Sequence, residues 1–228
     1  MKTRQTQSTQ KIEKPRFQLV LPALLAVIAV TGALMFSAGP VIAQDSPDGI
    51  VKKAVDEVIT AINADKSIQA GNRQRLNLLV DRSVVPHLNL VRMTQGAAGP
   101  HWARATPEQQ QALTAQFKRM LVNTYAGALI NYRPDTKIDY KPLRMAAGDT
   151  DAVVRSLVTA GGREPIPIDY YLERVDGAWK VIDFSVFGAR MVETYKNQFS
   201  SAIAAGGVDG LIKTLADKST ALESRGKP

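Results

Sequence analysis

The chain of 228 residues has 29 Lys and Arg against 21 Asp and Glu, is 45% hydrophobic and contains no Cys. This composition is that of an ordinary globular protein and excludes collagenous, disulfide-stapled and wholly disordered proteins. The absence of Cys also excludes thiol catalysis, iron–sulfur clusters and Cys-based zinc sites. Half of the net charge of +8 lies in residues 1–43, so the rest of the chain gives little indication of nucleic-acid binding.

The first 43 residues have the three parts of a secretory signal. Basic residues precede an uncharged stretch from Leu19 to Phe36, and the small-residue sequence Val41-Ile42-Ala43 follows it. We therefore expect cleavage before Gln44 and a protein that acts outside the cytoplasm. The alternative is an uncleaved anchor, but the apolar stretch would extend only about 27 Å as a helix and contains a proline and a glycine.

Residues 44–228 are predicted to form a single domain, alone or with a small helical subdomain. The first half of this region follows the 3.6-residue period of helices. Ser46-Pro47-Asp48 is a start signal for the first helix, and further helices are expected at about Arg73–Val84 and from Pro86 onwards. The small residues at Gly96–Pro100 are expected to interrupt the helical pattern.

A long helix is predicted to start at Thr106-Pro107-Glu108-Gln109, which has the pattern of a capping box. The helix is expected to end near Tyr132-Arg133-Pro134. One face carries large side chains at helical spacing, which predicts that this face is buried. The side chains are Leu113, Phe117, Met120, Leu121, Thr124, Tyr125, Ala128 and Leu129.

The hydrophobic period then changes from about 3.6 to 2, which indicates strands. The strands are predicted at Lys137–Met145, Ala152–Ala160, Ile166–Val175 and Ala178–Val186. Asp176-Gly177 predicts a tight hairpin between the last two strands, and Gly188 is expected to end the sheet. Two closing helices are expected over residues 189–204 and 208–222. This order predicts an α+β fold, a curved antiparallel sheet of about four strands packed by helices from both ends of the chain.

The sequence has none of the common catalytic motifs: no Gly-x-Ser-x-Gly elbow, no Walker loop, no dinucleotide fingerprint and no His-Glu-x-x-His. His87 and His101 are not accompanied by a nucleophile or a paired carboxylate. Asp169 and Asp183 lie within predicted strands, where a buried carboxylate would suit the general base of a small isomerase or hydratase. We favour the simpler interpretation, an Asp that faces solvent or pairs with a basic residue across the sheet.

Six stretches between Gly99 and Ile212 carry a family resemblance through their order and spacing. They are Trp102-Ala103-Arg104-Ala105-Thr106-Pro107-Glu108-Gln109, Thr124-Tyr125-Ala126, Pro165-Ile166-Pro167-Ile168-Asp169-Tyr170, Trp179-Lys180-Val181-Ile182-Asp183, Tyr195-Lys196-Asn197-Gln198-Phe199 and Gly207-Val208-Asp209-Gly210-Leu211-Ile212. With them the chain resembles the MlaC family of periplasmic phospholipid-binding proteins. It departs from the family pattern at Phe187, where an acidic residue is expected, and at Arg190, where a Ser is usual.

The resemblance implies a periplasmic shuttle that carries phospholipid between the inner and outer membranes, without catalysis or a cofactor. The implied partners are an inner-membrane ABC transporter complex with an MCE subunit and an outer-membrane lipoprotein. The resemblance also implies a monomer that binds no nucleic acid and encloses an apolar cavity, because a carrier must shield acyl chains from water. The expected lipid-binding residues are Phe117, Leu121, Tyr125, Leu129, Tyr170, Val181, Phe184, Val186, Met191 and Tyr195.

The residues alone leave other interpretations open. A stripe of Leu, Phe and Tyr at helical spacing is typical of any core helix, so each expected wall residue taken singly fits a packed core better than a cavity wall, and only the resemblance favours the cavity. Two further functions fit the same fold: a non-catalytic interaction module of the cell envelope, and a small cone-shaped isomerase or hydratase that uses Asp169 or Asp183.

Overall fold

The computed structural model describes residues 46–225 apart from 131, 133 and 163, so the predicted signal sequence lies outside the described residues. The helices are α1 (Pro47–Ala64), α2 (Lys66–Gln69), α3 (Arg73–Ser83), α4 (Leu90–Ala98), α5 (Pro107–Ile130) and α6 (Met191–Arg225), with 3₁₀ turns at Val85–His87 and Gly99–Arg104. Among the described residues, no helix combines the length and the apolar character that crossing a bilayer requires.

Side-chain caps set the helix starts that the sequence predicts. At α1 the Ser46 Oγ accepts the backbone N–H of Gly49 at 3.2 Å. At α5 the capping box is reciprocal: the Thr106 Oγ1 accepts the N–H of Gln109 at 3.2 Å, and the Gln109 side chain accepts the N–H of Thr106 at 3.0 Å. Both predicted starts are confirmed.

The third predicted helix differs from the expectation in two ways. The chain forms a 3₁₀ turn at Val85–His87 and starts a new helix, α4, only after Asn89. The prediction of an interruption from Gly96 was wrong at its start, because α4 continues through Gly96 to Ala98. A side chain at Gly96 would lie 2.8 Å from a methyl carbon of Val192, so the glycine permits close packing of α4 against α6.

The sheet has five antiparallel strands in the order β1-β2-β3-β4-β5, which confirms the α+β class with one strand more than expected. They are β1 (Lys137–Tyr140), β2 (Asp151–Thr159), β3 (Ile166–Val175), β4 (Ala178–Val186) and β5 (Ala189–Arg190). β1 ends at Tyr140 rather than at the predicted Met145, since Pro142 cannot donate a ladder hydrogen bond. The prediction that Gly188 ends the sheet was wrong, because β5 pairs with β4 beyond this glycine.

An irregularity in β4 changes which side chains share a face. Tyr171 is the Cα partner of Asp183 but Leu172 is the partner of Val181, so Ile182 is an extra residue in β4. Strict alternation would place Val181 on the face opposite Phe184 and Val186. The extra residue shifts the register by one and returns all three side chains to the same face.

The two predicted closing helices are the two arms of α6. The backbone leaves the helical conformation at Gly206 and at Gly207, whose φ of 67° favours glycine. Residues 191–205 and 208–225 therefore run as separate arms, and both contribute to one buried cluster with α5. The cluster contains Leu113, Phe117 and Met120 of α5 together with Met191, Phe199, Ile203, Leu211 and Leu215 of α6.

Candidate functional site

An apolar pocket of about 390 Å³ lies between one face of the sheet and helices α1, α3, α4 and α5. Its wall receives seven side chains from α1, all of them Ile, Val or Ala. The sheet contributes Ile138 of β1, Val158 of β2 and Ile168 of β3, and α3 contributes Val80. The α1 side chains are Ile50, Val51, Ala54, Val55, Val58, Ile59 and Ile62.

Seven of the ten residues predicted to contact lipid line this pocket. They are Leu121, Tyr125, Leu129, Tyr170, Val181, Phe184 and Val186. Helix α5 supplies the first three, β3 supplies Tyr170, and β4 supplies the rest. The three β4 residues reach the same pocket because of the register shift at Ile182.

The structure places Phe117, Met191 and Tyr195 outside the pocket, in the helical core between α5 and α6. The ring of Phe117 is fully buried and lies edge-on to the rings of Tyr195 and Phe199, with centroids 5.2 and 5.0 Å apart. Met191 belongs to the same buried cluster. Tyr195 also borders a second, smaller pocket of about 270 Å³, next to Met120 and other residues of α5 and α6.

The sequence analysis missed the contribution of α1 to the pocket. The helical spacing of Val51, Val55, Val58 and Ile62 indicated a buried face, and these residues are among those that line the wall. The pattern contains no signal that distinguishes a face packed against other side chains from a face that borders open space. Only the position of α1 relative to the sheet decides between the two.

The polar groups of the pocket wall are hydroxyls and the imidazole of His87, the histidine that follows Pro86. Among the described residues that border the pocket there is no Asp, Glu, Lys or Arg. Burial raises the pKa of Tyr125, with smaller contributions from nearby Tyr195 and Asp183, and burial also raises the pKa of Tyr170. Both hydroxyls therefore remain protonated at neutral pH. The Tyr125 ring lies edge-on to Phe184 with centroids 5.3 Å apart, which fixes its position in the wall.

Asp183 lies on the other face of β4 and has structural partners. It is 1% exposed, and its Oδ2 accepts a hydrogen bond from the Arg190 Nε at 2.8 Å. Its Oδ1 accepts the backbone N–H groups of Phe184 at 2.9 Å and Val192 at 3.0 Å. The bond to Val192 satisfies an N–H group in the first turn of α6, so Asp183 joins the sheet to that helix.

Asp169, the other candidate base, is half-buried and lies on the face of β3 away from the pocket. Its Cα partner on β2 is Arg155, a basic residue across the sheet. Residues that line the pocket alternate with Asp169 along β3, namely Ile168 and Tyr170. Neither candidate carboxylate therefore borders the pocket.

Comparisons with known proteins agree on one family. Residues 52–217 match the family model described as MlaC protein. The toluene tolerance protein ttg2D of Pseudomonas putida is 28% identical over 175 residues, which are 76% of this chain and 80% of that protein. The intermembrane phospholipid transport system binding protein MlaC of Haemophilus influenzae is 25% identical over 174 residues, 75% of this chain and 81% of that protein.

A solved structure is also similar to this chain. It is the phospholipid-binding protein from Ralstonia solanacearum in complex with a phospholipid, with a TM-score of 0.74 and 45% sequence identity. The match covers 78% of this chain and 98% of that one.

Proposed function

Because this chain belongs to the MlaC family, we propose that it is a periplasmic carrier that holds the acyl chains of a phospholipid in the pocket beneath α1. The observation that carries the proposal is the wall itself, which is largely apolar, has no Asp, Glu, Lys or Arg among its described residues, and is built from the sheet and four helices. Each methylene group removed from water contributes about 0.8 kcal/mol, so acyl chains supply sufficient binding energy without a specific polar contact. The described wall residues include no Lys, Arg, Asp or Glu that could pair with a charged headgroup, so we place the headgroup at the opening of the pocket.

The two alternative functions receive less support from the site. An isomerase or hydratase needs a base that reaches its substrate, whereas both oxygens of Asp183 are engaged by Arg190 and backbone N–H groups outside the pocket. An interaction module has no need of a pocket lined by aliphatic and aromatic side chains. We therefore assign no catalytic step to this protein.

The wider role follows from the family and the predicted leader. The Haemophilus relative is named as the binding protein of an intermembrane phospholipid transport system. The proposed exchange partners are accordingly an inner-membrane ABC transporter complex with an MCE subunit and an outer-membrane lipoprotein. In this proposal residues 1–43 are removed on export and residues 44–228 form the lipid-binding domain.

Extraction of the exported protein with organic solvent tests the proposal. The protein is purified from the periplasmic fraction, and the extract is analysed by mass spectrometry beside that of an unrelated periplasmic protein purified in the same way. We expect phospholipid in an amount comparable to the protein, and an intact mass that starts at Gln44. An extract without lipid contradicts the carrier function, and full-length chain in the membrane fraction contradicts cleavage.

A further inference from the structure

Helix α1 is bound to the rest of the molecule by polar contacts at one end only. At its C-terminal end, the Gln69 side chain donates to the carbonyl oxygen of Ile62 at 3.1 Å, and Arg75 of α3 donates to the Asp65 carboxylate at 3.0 Å. Among the described residues, no hydrogen bond or ion pair joins residues 47–60 to another element. The C-terminal end of α1 is therefore fixed to α2 and α3, whereas the rest of the helix is held by side-chain packing.

A single residue separates α1 from α2. Asp65 leaves the helical conformation, with φ −109° and ψ 95°, and it both ends α1 and caps α2. Its Oδ1 accepts the backbone N–H and the hydroxyl of Ser67 at 2.9 and 2.6 Å, so its side chain is bound to α2. A fixed residue at the end of a helix is a suitable pivot, because a change in its φ and ψ moves the whole helix.

The contact between α1 and the edge strand β1 contains a hydroxyl group without a partner. Lys52 of α1 lies over the ring of Tyr140 in β1, with its Nζ 5.5 Å from the ring centroid. The Tyr140 hydroxyl is buried and has no hydrogen-bond partner among the described residues, and burial raises its pKa. A hydroxyl that has lost water without gaining a partner destabilises the state in which it is buried. Separation of α1 from β1 would return water to this hydroxyl.

Apolar packing holds α1 in its position over the pocket. Ile50 and Val51, near its start, belong to a buried cluster with strands β2, β3 and β4, and Val58 and Ile62 pack with α3. These contacts keep the closed position predominant. They are non-directional, so they do not fix the helix to the sheet as a set of hydrogen bonds would.

We propose that α1 is a lid that pivots at Asp65 and separates from β1 to admit and release phospholipid; the inference rests on the proposed carrier function. Seven side chains of α1 line the pocket, so its displacement opens the wall from Ile50 to Ile62. A phospholipid then enters from the side, and its acyl chains need not pass lengthwise through a narrow opening. Closure returns the apolar side chains to the acyl chains and shields both from water, as lids do over other ligands.

Reversible cross-linking tests the lid, because the chain has no Cys and two introduced thiols react alone. Lys52→Cys with Tyr140→Cys is joined, after folding and lipid binding, by a bifunctional methanethiosulfonate that a reducing agent removes. We expect the joined protein to keep its lipid. Its transfer of fluorescent phospholipid to vesicles should fall about tenfold when about nine in ten molecules are joined, since only the others can open, and reduction should restore it. The matched control, Asp81→Cys with Lys118→Cys, joins α3 to α5 at an ion pair of 2.8 Å and leaves α1 free.

The hydroxyl group is tested separately with Tyr140→Phe. This change removes the unpaired group and keeps the ring beneath Lys52, so the closed position should be favoured. We expect an unfolding temperature that is the same or higher, and transfer that is slower by roughly fivefold or more. A hydroxyl with a structural role alone would give a lower unfolding temperature and unchanged transfer.

Undiminished transfer in the joined protein, an equal loss in the α3–α5 control, or unchanged transfer in Tyr140→Phe overturns the inference. Hydrogen exchange separates that result from a failure of the carrier function. If α1 is a lid, the amides of residues 47–60 exchange faster than those of α5, and joining Lys52→Cys to Tyr140→Cys slows them; equal exchange rates overturn the lid. A parent protein that shows this exchange but carries no phospholipid contradicts the carrier function and not the movement of α1.

Discussion

Along one face, helix α5 borders two regions that are built from the same kinds of side chains. Nearer the start of the helix, Phe117 meets Tyr195 and Phe199 of α6, and the region is a closed core in which Phe117 and Phe199 are fully buried. Further along the same face, Leu121 and Tyr125 border a pocket of about 390 Å³. The residue types along α5 do not distinguish the two regions, so the difference comes from the elements that α5 faces.

Helices α6 and α1, which face α5 in the two regions, differ in the size of the side chains that they present. The α6 arms place aromatic rings against α5, and such rings fill a large interhelical space. Helix α1 presents only Ile, Val and Ala to the pocket, and β-branched side chains are short and restricted in χ1. A helix with short side chains opposite a sheet leaves volume that a ligand can occupy. The space next to α5 is therefore filled where α6 contributes aromatic rings and stays open where α1 contributes short aliphatic side chains.

Truncation of Phe117 should give the largest difference between the two regions. We expect Phe117→Ala to lower the free energy of unfolding by about 3–5 kcal/mol, because it leaves a cavity in a packed core. Leu129→Ala in the pocket wall should cost less than about 2 kcal/mol, since that side chain already borders open space. Urea denaturation measures both values, and equal costs would remove the distinction.

Asp183 connects the two regions, because it joins β4 to the start of α6. Asp183→Asn keeps an acceptor for the Val192 N–H but removes the charge that faces Arg190. The expected loss of stability is about 1.5–3 kcal/mol, with the lipid content per folded protein unchanged. Asp169→Asn, at a half-buried position, is the control and should change stability by less than about 0.5 kcal/mol. A loss of lipid without a loss of stability would give Asp183 a role at the site.

Replacing a helical alanine by leucine tests whether the space beside that alanine is packed or open. Ala97 of α4 is fully buried in the helical core, whereas Ala54 of α1 lines the pocket. We expect Ala97→Leu to cost about 1–3 kcal/mol through overpacking and Ala54→Leu to cost less than about 1 kcal/mol. Thermal unfolding compares the two, and lipid extraction should show a reduced load only for Ala54→Leu. If Ala54→Leu is the more destabilising change, the pocket is not open in the folded protein.

The smallest effect is expected at the surface of the helical region, where Glu223 accepts hydrogen bonds from Arg119 and Asn123. The Arg119 guanidinium lowers the pKa of Glu223 below its ordinary value of 4.5, so the stabilisation is complete above that value and is lost as the pH falls through the lowered pKa. The pair is partly exposed, which limits its contribution to at most about 1 kcal/mol. Between neutral pH and about pH 3, Glu223→Gln should therefore lose slightly less stability than the parent; an identical pH profile would contradict this.

Local signals in the sequence predicted most of the fold. The capping box at Thr106 and the hairpin at Asp176-Gly177 depend on neighbouring residues only, and both are confirmed. The extra residue at Ile182 depends on the pairing of two strands and has no local pattern. The same limit applies to the site: the helical period predicted that Phe117 and Tyr125 are buried, but it did not predict that α6 closes a core around Phe117 while α1 and the sheet leave a pocket beside Tyr125.

The central claim, that acyl chains occupy the pocket, is tested most directly by two identical substitutions in β2. Val158 lines the pocket and Val153 lies on the other face of the strand, and both are half-buried. This pair is a better test than a substitution at Val181. The Val181 side chain is 5% exposed and packs in the core as well as in the pocket wall, so a charge there would also affect folding. The measurement is phospholipid recovered per folded protein, with circular dichroism as the control for folding. We predict that Val158→Glu folds but loses most of its lipid, because a carboxylate among acyl chains costs several kcal/mol, while Val153→Glu keeps it. A folded Val158→Glu protein with the full lipid load would contradict the account.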